Sequence, residues 1–170
     1  MFQVSVTFYA PAPIPNDEYA RNLAVRASGL LDRTNDPALT ALAQAARKAV
    51  RADWAGVALI VDDLQIVIAS SGGQLGRYER ARSMSAHAIV TPDRVFCVPD
   101  TIADGTFRSN PFVRVGLIRF FVAAPIVDAA GHVLGVVCAS SRNPRAALDE
   151  GEARVLRSLA ARVLDPPPAT

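Results

Sequence analysis

Two long apolar stretches, each divided by a short polar turn, constrain the fold of this chain more than any other feature. The first reads WAGVALIV-DD-LQIVIASS over residues 54–71, and the second reads LIRFFVAAPIV-DAAG-HVLGVVCASS over residues 117–141. Apolar runs joined by so short a turn are typical of β-hairpins, whose strands pair antiparallel. The sequence therefore predicts an antiparallel sheet built on two hairpins.

Helical patterns flank these hairpins towards both ends of the chain. Asp36 precedes Pro37 at the start of one pattern, and Asp149 and Glu152 have the spacing of a capping box at the start of another. Strands in the middle and helices at the ends predict an α+β fold, with the helices packed on a face of the sheet. The long helices are expected over residues 17–31, 36–52 and 149–164.

The remaining segments are shorter. Residues 2–9 alternate between apolar and polar side chains, which predicts a half-buried strand that pairs with an exposed sheet edge in its own subunit or a neighbour. Residues 72–83, rich in glycine and charge, are expected to form a loop. A short helix is expected over residues 84–90 and a brief strand over residues 95–98. The predicted divisions are an extension (1–15), one domain (16–164) and a proline-rich tail (165–170).

Charge and hydropathy exclude several classes of function. The formal net charge is only +2, and the basic residues are interleaved with acidic ones, which argues against a nucleic-acid partner. No apolar run reaches the roughly 18 residues that a membrane span requires. No Lys or Arg precedes Arg21, so the N-terminus lacks the basic region of a secretory signal. We therefore expect a cytoplasmic protein with no membrane partner.

Two cysteines, Cys97 and Cys138, each lie inside an apolar run. Neither has the Cys or His spacing of a zinc site, so no metal is expected. Buried thiols that pack as small apolar side chains are the simpler interpretation.

Six ordered blocks of the chain resemble the bacterial branch of the GAF domain family. The blocks are NDEYARNLAVRASGLLDRTNDPAL (16–39), SMSAHAI (83–89), VPD (98–100), FRSNPFV (107–113), LIRFFVAAPIV (117–127) and GHVLGVVCASSRNPR (131–145). The resemblance implies a GAF-like (profilin-like) antiparallel sheet of about five to six strands. It also implies that helices from both chain ends pack on one face, while loops and short helices enclose a pocket on the other.

The departures from the family pattern bear on activity. Ser85 occupies the position where the family block has cysteine, and a hydroxyl has no accessible anionic form near neutral pH, so thiolate chemistry is disfavoured there. The enzymatic branch, the free methionine sulfoxide reductases, requires several exchanging cysteines. The signature of the cyclic-nucleotide-binding members is not visible. The resemblance therefore implies a protein that is not an enzyme, and it identifies no cofactor.

The resemblance places a set of candidate ligand-pocket residues around the central segment. His87 either contacts a ligand or serves as a structural histidine, and Asp100 and Arg119 either neutralise each other or leave Arg119 to bind an anion. The aromatic candidates either cover the pocket or pack in the interior. The full set is Ser85, His87, Asp100, Phe107, Arg119 and Phe121.

Three apolar helical stripes are more than one sheet face readily covers, which predicts a homodimer through the helices. Because Pro166–Pro168 end the last helix, no output domain is expected in the same chain. The leading hypothesis is a stand-alone GAF-type sensory domain that binds a small molecule and signals through helix-mediated dimerisation to a separate partner. The alternatives are a dimerisation module with a filled pocket and a divergent redox enzyme related to the free methionine sulfoxide reductases.

Overall fold

A six-stranded antiparallel sheet forms the centre of the structure, a computed structural model that describes residues 9–167 and 169. Its order is β3-β2-β1-β6-β5-β4, so the two hairpins lie side by side and short strands form both edges. The strands are β1 (Trp54–Val61), β2 (Leu64–Ser70), β3 (Gly76–Glu79), β4 (Phe96–Val98), β5 (Phe120–Val127) and β6 (Val133–Ser141). Apart from Tyr9, the predicted strand at 2–9 lies outside the described residues.

Within the described residues, five α-helices cover the two faces of this sheet. The three long ones are α1 (Glu18–Ala27), α2 (Pro37–Ala49) and α5 (Glu150–Arg162), and the two short ones are α3 (Ser85–Ala88) and α4 (Pro111–Arg114). The predicted α2 cap is confirmed, since the Asp36 side chain accepts a hydrogen bond from the Ala38 amide at 2.7 Å. The predicted capping box between Asp149 and Glu152 is also confirmed. The α+β architecture expected from the hairpins and flanking helices is therefore correct.

The two central strands approach each other closely at Gly135. Leu59 of β1 pairs with Gly135 of β6, and a Cβ atom added there would collide with the Ala58 carbonyl. Only glycine has no Cβ, so this residue allows the two hairpins to join into one sheet.

All three long helices share one face of the sheet. Val57 and Leu59 of β1 face them, whereas Ala58 and Ile60 face the opposite side, as the two-residue period of a strand requires. One sheet face thus carries all three helices, but it does not cover their apolar stripes completely, since Tyr19, Leu23 and Val155 stay exposed. The helices supply Val25, Leu39, Leu42, Leu156 and Leu159 to this core.

A buried arginine fastens α1 to the sheet. Arg21 is 1% exposed, and its guanidinium donates to the carbonyls of Ile60 at 2.5 Å and Val133 at 3.2 Å. Its Nε and Nη2 donate to the Glu18 carboxylate at 2.9 Å, and Nη2 also donates to the Asn22 side-chain oxygen at 3.0 Å. A fully buried charge is tolerated only when it is paired in this way.

Two segments differ from the expectations. The helix expected at 17–31 ends at Ala27, because Gly29 adopts a left-handed conformation (φ 75°) and a 3-10 turn follows at Leu30–Arg33. The loop expected at 72–83 contains the edge strand β3, which pairs with β2 from Leu64 to Val67. The strand was hidden because its residues face solvent and lack an apolar pattern, and its pairing comes from the backbone.

Candidate functional site

A cavity of about 400 Å³ opens on the sheet face opposite the three long helices. Its floor is formed by side chains of four strands, among them Trp54 of β1, Val67 of β2, Phe121 of β5 and Cys138 of β6. These residues alternate with those that face the helices, so the strand period alone directs them into the cavity.

Two chain segments form the walls of the cavity. One is Arg82–Ser85, which leads into α3, and the other includes Phe112 of α4 and the following residues Leu117 and Ile118. The fully buried Asn110 joins them, since its side-chain amide donates to the Arg82 carbonyl at 3.0 Å. Its carbonyl oxygen accepts from the Phe112 amide at 2.9 Å and caps α4.

Polar groups occupy two levels of the cavity. In the interior, the Ser83 hydroxyl donates to the Gln65 side-chain oxygen. Towards solvent lie Asp53 and Arg142, joined by a hydrogen bond of 2.8 Å from the Arg142 amide to the Asp53 carboxylate. The neutral groups are thus inside and the charged ones are at the rim.

The structure brings two of the six predicted site residues, Ser85 and Phe121, into the cavity lining. Ser85 lies beside the Cys138 thiol. Burial raises the pKa of the Cys138 thiol to about 12, and the hydrogen bond with Ser85 opposes this only in part. The sulfur at the cavity floor is therefore a protonated thiol at neutral pH, with little nucleophilic character.

The two cysteines lie on opposite faces of the sheet. Cys97 pairs with Val122 and packs on the helix side, whereas Cys138 pairs with Ala123 and belongs to the cavity side. Burial also raises the pKa of the Cys97 thiol. Because disulfide geometry requires side chains that point towards each other, these two thiols cannot bridge without rearrangement.

His87 and Phe107 lie outside the cavity lining, in an aromatic cluster with Tyr9 and Phe96. The His87 and Phe107 rings meet edge to face with centroids 4.7 Å apart, and His87 Nε2 shares a hydrogen bond of 3.2 Å with the Tyr9 hydroxyl. Burial lowers the pKa of His87, and the charge of Asp104 opposes this in part. These contacts match the structural alternative for His87.

Asp100 and Arg119 form an ion pair of 3.1 Å and do not line the cavity. Burial would raise the pKa of Asp100, but the hydrogen bonds and charge of Arg119 outweigh it and the pKa is lowered. The structure thus shows the mutual neutralisation that was one of the two alternatives for this pair.

Sequence reasoning missed several cavity residues. Trp54, Gln65 and Arg142 come from three separate segments, and only the sheet brings them together. Asn110 did carry a local signal, the Asn-Pro pair at the start of a helix, but its link to Arg82 depends on tertiary packing.

Two further features are absent from the part of the chain that the structure describes. No three His, Cys, Asp or Glu side chains group there as metal ligands would. No helix among the described residues is both long and apolar enough to cross a membrane.

The sheet order, the helices on one face and the cavity on the other define an α+β fold with one antiparallel sheet. The GAF domain family model matches residues 35–164. The chain belongs to the GAF domain family, a family of sensory domains.

One curated relative is the cyclic di-GMP phosphodiesterase PA2567 of Pseudomonas aeruginosa, 33% identical over 156 residues. The alignment covers 91% of this chain, which spans about a quarter of the relative, 26% of its length.

Two solved structures have the same fold. The blue-light absorbing form of the PixJ GAF domain of Thermosynechococcus elongatus has a TM-score of 0.60 and 18% identity, over 81% of this chain and 85% of that one. The GAF domain of a phosphoenolpyruvate-protein phosphotransferase of Coxiella burnetii has a TM-score of 0.60 and 15% identity, over 85% and 91% of the two chains. At these identities the likeness concerns the fold alone.

Proposed function

We propose that this protein is a non-enzymatic sensory domain that binds a small molecule in the cavity opposite its three long helices. The observation that carries the proposal is the cavity itself, whose volume of about 400 Å³ lies within the range of about 300–1,000 Å³ typical of ligand pockets. Its apolar walls with a few convergent polar groups are also typical of such sites. An open cavity favours the sensor over a module whose pocket is filled.

The absence of enzymatic chemistry is part of the proposal. The sulfur at the cavity floor, Cys138, is protonated at neutral pH and lies on the opposite face from Cys97. This arrangement argues against a thiol-exchange enzyme. The relative from Pseudomonas aeruginosa is named a phosphodiesterase, but this chain corresponds to about a quarter of it, 26% of its length. We propose that the shared part is regulatory.

A continuous set of contacts connects the cavity wall to helix α1. Arg80 begins the 3-10 turn that leads directly to Ser83 in the wall. Its guanidinium donates to the Glu18 carboxylate on α1 and, at 3.0 Å, to the Asp62 carbonyl in the β1–β2 turn. A ligand that favours one position of the wall would therefore bias the position of α1, which is a population shift.

The signal is proposed to pass to a second copy and then to a separate output protein. Tyr19 and Leu23 of α1 and Val155 of α5 stay exposed although they are large and apolar. Exposed apolar side chains on helices are typical of helical dimer contacts. This homodimer is a proposal, as is the output partner.

Native mass spectrometry of the freshly purified protein tests ligand binding and oligomeric state together. We expect a dimer that retains a small molecule. In Leu117→Trp, at the cavity wall, the larger side chain should obstruct the cavity and remove the bound species. The control Ile102→Trp changes an equally exposed side chain outside the lining and should retain it. Equal retention by both variants would contradict binding in this cavity.

A further inference from the structure

We propose that the cavity ligand is a monoanionic aromatic carboxylate, with its ring inside the cavity and its carboxylate at the mouth near Arg82 and Arg142. This inference rests on the proposed function and specifies the ligand's chemistry. It follows from where the cavity places its charged and uncharged groups.

The charges of the lining are all at the mouth, and they are unbalanced. Arg82 and Arg142 are both exposed to solvent there, against one carboxylate, Asp53. The Arg142 amide engages Asp53 at 2.8 Å, which holds this carboxylate beside the backbone. Within the lining, two guanidiniums face one carboxylate, and Glu79, the ion-pair partner of Arg82, lies outside the lining. One positive charge therefore becomes available to a monoanion when the exposed Arg82–Glu79 pair opens.

The existing partner of Arg82 is weak enough to be exchanged. Arg82 Nε lies 3.2 Å from Glu79, and the two side chains are 59% and 68% exposed. Exposed ion pairs contribute little because water screens them. A guanidinium can form two parallel hydrogen bonds with a carboxylate, so a ligand carboxylate that also reached Arg142 would compete with Glu79.

The interior of the cavity disfavours charge and favours a flat apolar body. Trp54, Phe112 and Phe121 supply aromatic surface, and the Trp54 indole is fixed by a hydrogen bond of 2.9 Å to the Ser70 hydroxyl. Gln65 is a neutral polar group, and the Cys138 thiol is uncharged at neutral pH. A buried charge there would have no charged partner, so the ligand's anionic group belongs at the mouth.

Two matched series of compounds test this assignment by isothermal titration calorimetry. Each series keeps one aromatic group and one chain length, and only the terminal group changes from a carboxylate to a neutral amide to an amine. The phenyl series is 3-phenylpropionate, 3-phenylpropionamide and phenethylamine. The indole series is indole-3-propionate, indole-3-propionamide and tryptamine. We expect the carboxylate of at least one series to bind at least tenfold more tightly than its amide, and the amines to show no binding. Equal affinity for amide and carboxylate, or preference for the amine, would overturn the inference.

Variants assign the effect to the rim. Arg142→Gln and Arg82→Gln should each reduce the advantage of carboxylate over amide by at least threefold, whereas Arg154→Gln, on α5 outside the cavity lining, should leave it unchanged. Loss of the advantage in Arg154→Gln as well would overturn the inference. The absence of binding by all six compounds would also overturn the inference. In that case, a small molecule that is retained in native mass spectrometry and lost in Leu117→Trp would still support the proposed function.

Discussion

The side-chain amide of Asn110 donates a hydrogen bond of 3.0 Å to the main-chain carbonyl of Arg82 and so joins the two walls of the cavity. Asn110 is fully buried, and its other polar atom caps α4 at the Phe112 amide. One residue therefore holds both walls of the cavity in place.

Asn110→Ala should destabilise the protein by about 1–3 kcal/mol, because a buried carbonyl and a helix-terminal amide both lose their partner. Urea denaturation followed by circular dichroism measures this change. The control Asn143→Ala, at an exposed position, should change the unfolding free energy by less than about 0.5 kcal/mol. If Asn110→Ala lost no more stability than Asn143→Ala, the hydrogen bond from Asn110 to Arg82 would not stabilise the fold as proposed.

Glu18 is the shared partner of two buried arginines, Arg21 and Arg80. Burial opposes ionisation of Glu18, but the hydrogen bonds and charges of both arginines outweigh it and lower the pKa of Glu18 to about 2. Glu18→Gln leaves both guanidiniums without a countercharge and should cost about 2 kcal/mol at neutral pH.

The pH dependence of this contribution has a definite sign. Because the pKa is lowered in the folded state, the stabilisation is present above the ordinary value of 4.5 and is lost as the pH falls towards about 2. Acid unfolding curves for Glu18→Gln should therefore be flatter in this range than those of the unmodified protein. Glu150→Gln removes an exposed ion pair with Arg157 and is the control. Curves that coincide for Glu18→Gln and the unmodified protein would refute the assignment.

His87 should produce a second pH dependence in a separate range. Burial lowers its pKa, so the folded protein binds a proton there less readily than the unfolded chain. Stability is therefore complete above the ordinary value of 6.5 and declines as the pH falls below it. In His87→Phe, which keeps an aromatic ring beside Phe107, melting temperatures should decline less between about pH 7 and pH 5. An unchanged decline would assign it to other groups.

The thiols should be inert while the protein is folded. The raised pKa values of Cys97 and Cys138 predict slow reaction with an aromatic disulfide reagent until denaturant is added. Treatment with diamide should produce no intramolecular disulfide, because the two side chains lie on opposite faces of the sheet. Mass spectrometry under non-reducing conditions detects such a bond, and its rapid formation in the native protein would revive the redox hypothesis.

Gly135→Ala tests the close contact between the two hairpins. Its Cβ would meet the Ala58 carbonyl, which belongs to a central strand and cannot move aside, so we expect a loss of about 3 kcal/mol or failure to fold. Gly72→Ala is the matched control, because a Cβ there meets nothing within 4 Å. A thermal denaturation midpoint that is equal in both variants would show that the sheet accommodates the extra atom.

Local patterns in the sequence predicted most of the fold. The apolar hairpins around Asp62–Asp63 and Asp128–Gly131, the caps at Asp36 and Asp149 and the stripes of the helices are all short-range features. Each depends on residues a few positions apart, so it is visible without the fold. The edge strand β3 was missed because its pairing comes from backbone groups, which every residue carries.

The candidate site was predictable only in part. Ser85 lies at the start of α3 and lines the cavity. His87 follows two residues later, about half a helical turn on, and therefore points into the aromatic cluster instead. Asp100 and Arg119 are nineteen positions apart, yet their pairing was one of the two predicted alternatives. It could be predicted because a charge inside an apolar block needs a countercharge.

The chain on its own determined the antiparallel sheet, the positions of the helices and the lack of a reactive cysteine beside His87, because these depend on residue type and spacing. The tertiary structure alone decided which side chains meet in the cavity. Trp54, Gln65, Arg82 and Arg142 converge there from distant segments. Their convergence depends on the register of β1 against β6 and on the position of the segment around Arg82, and no local pattern encodes either because both join residues far apart in the sequence.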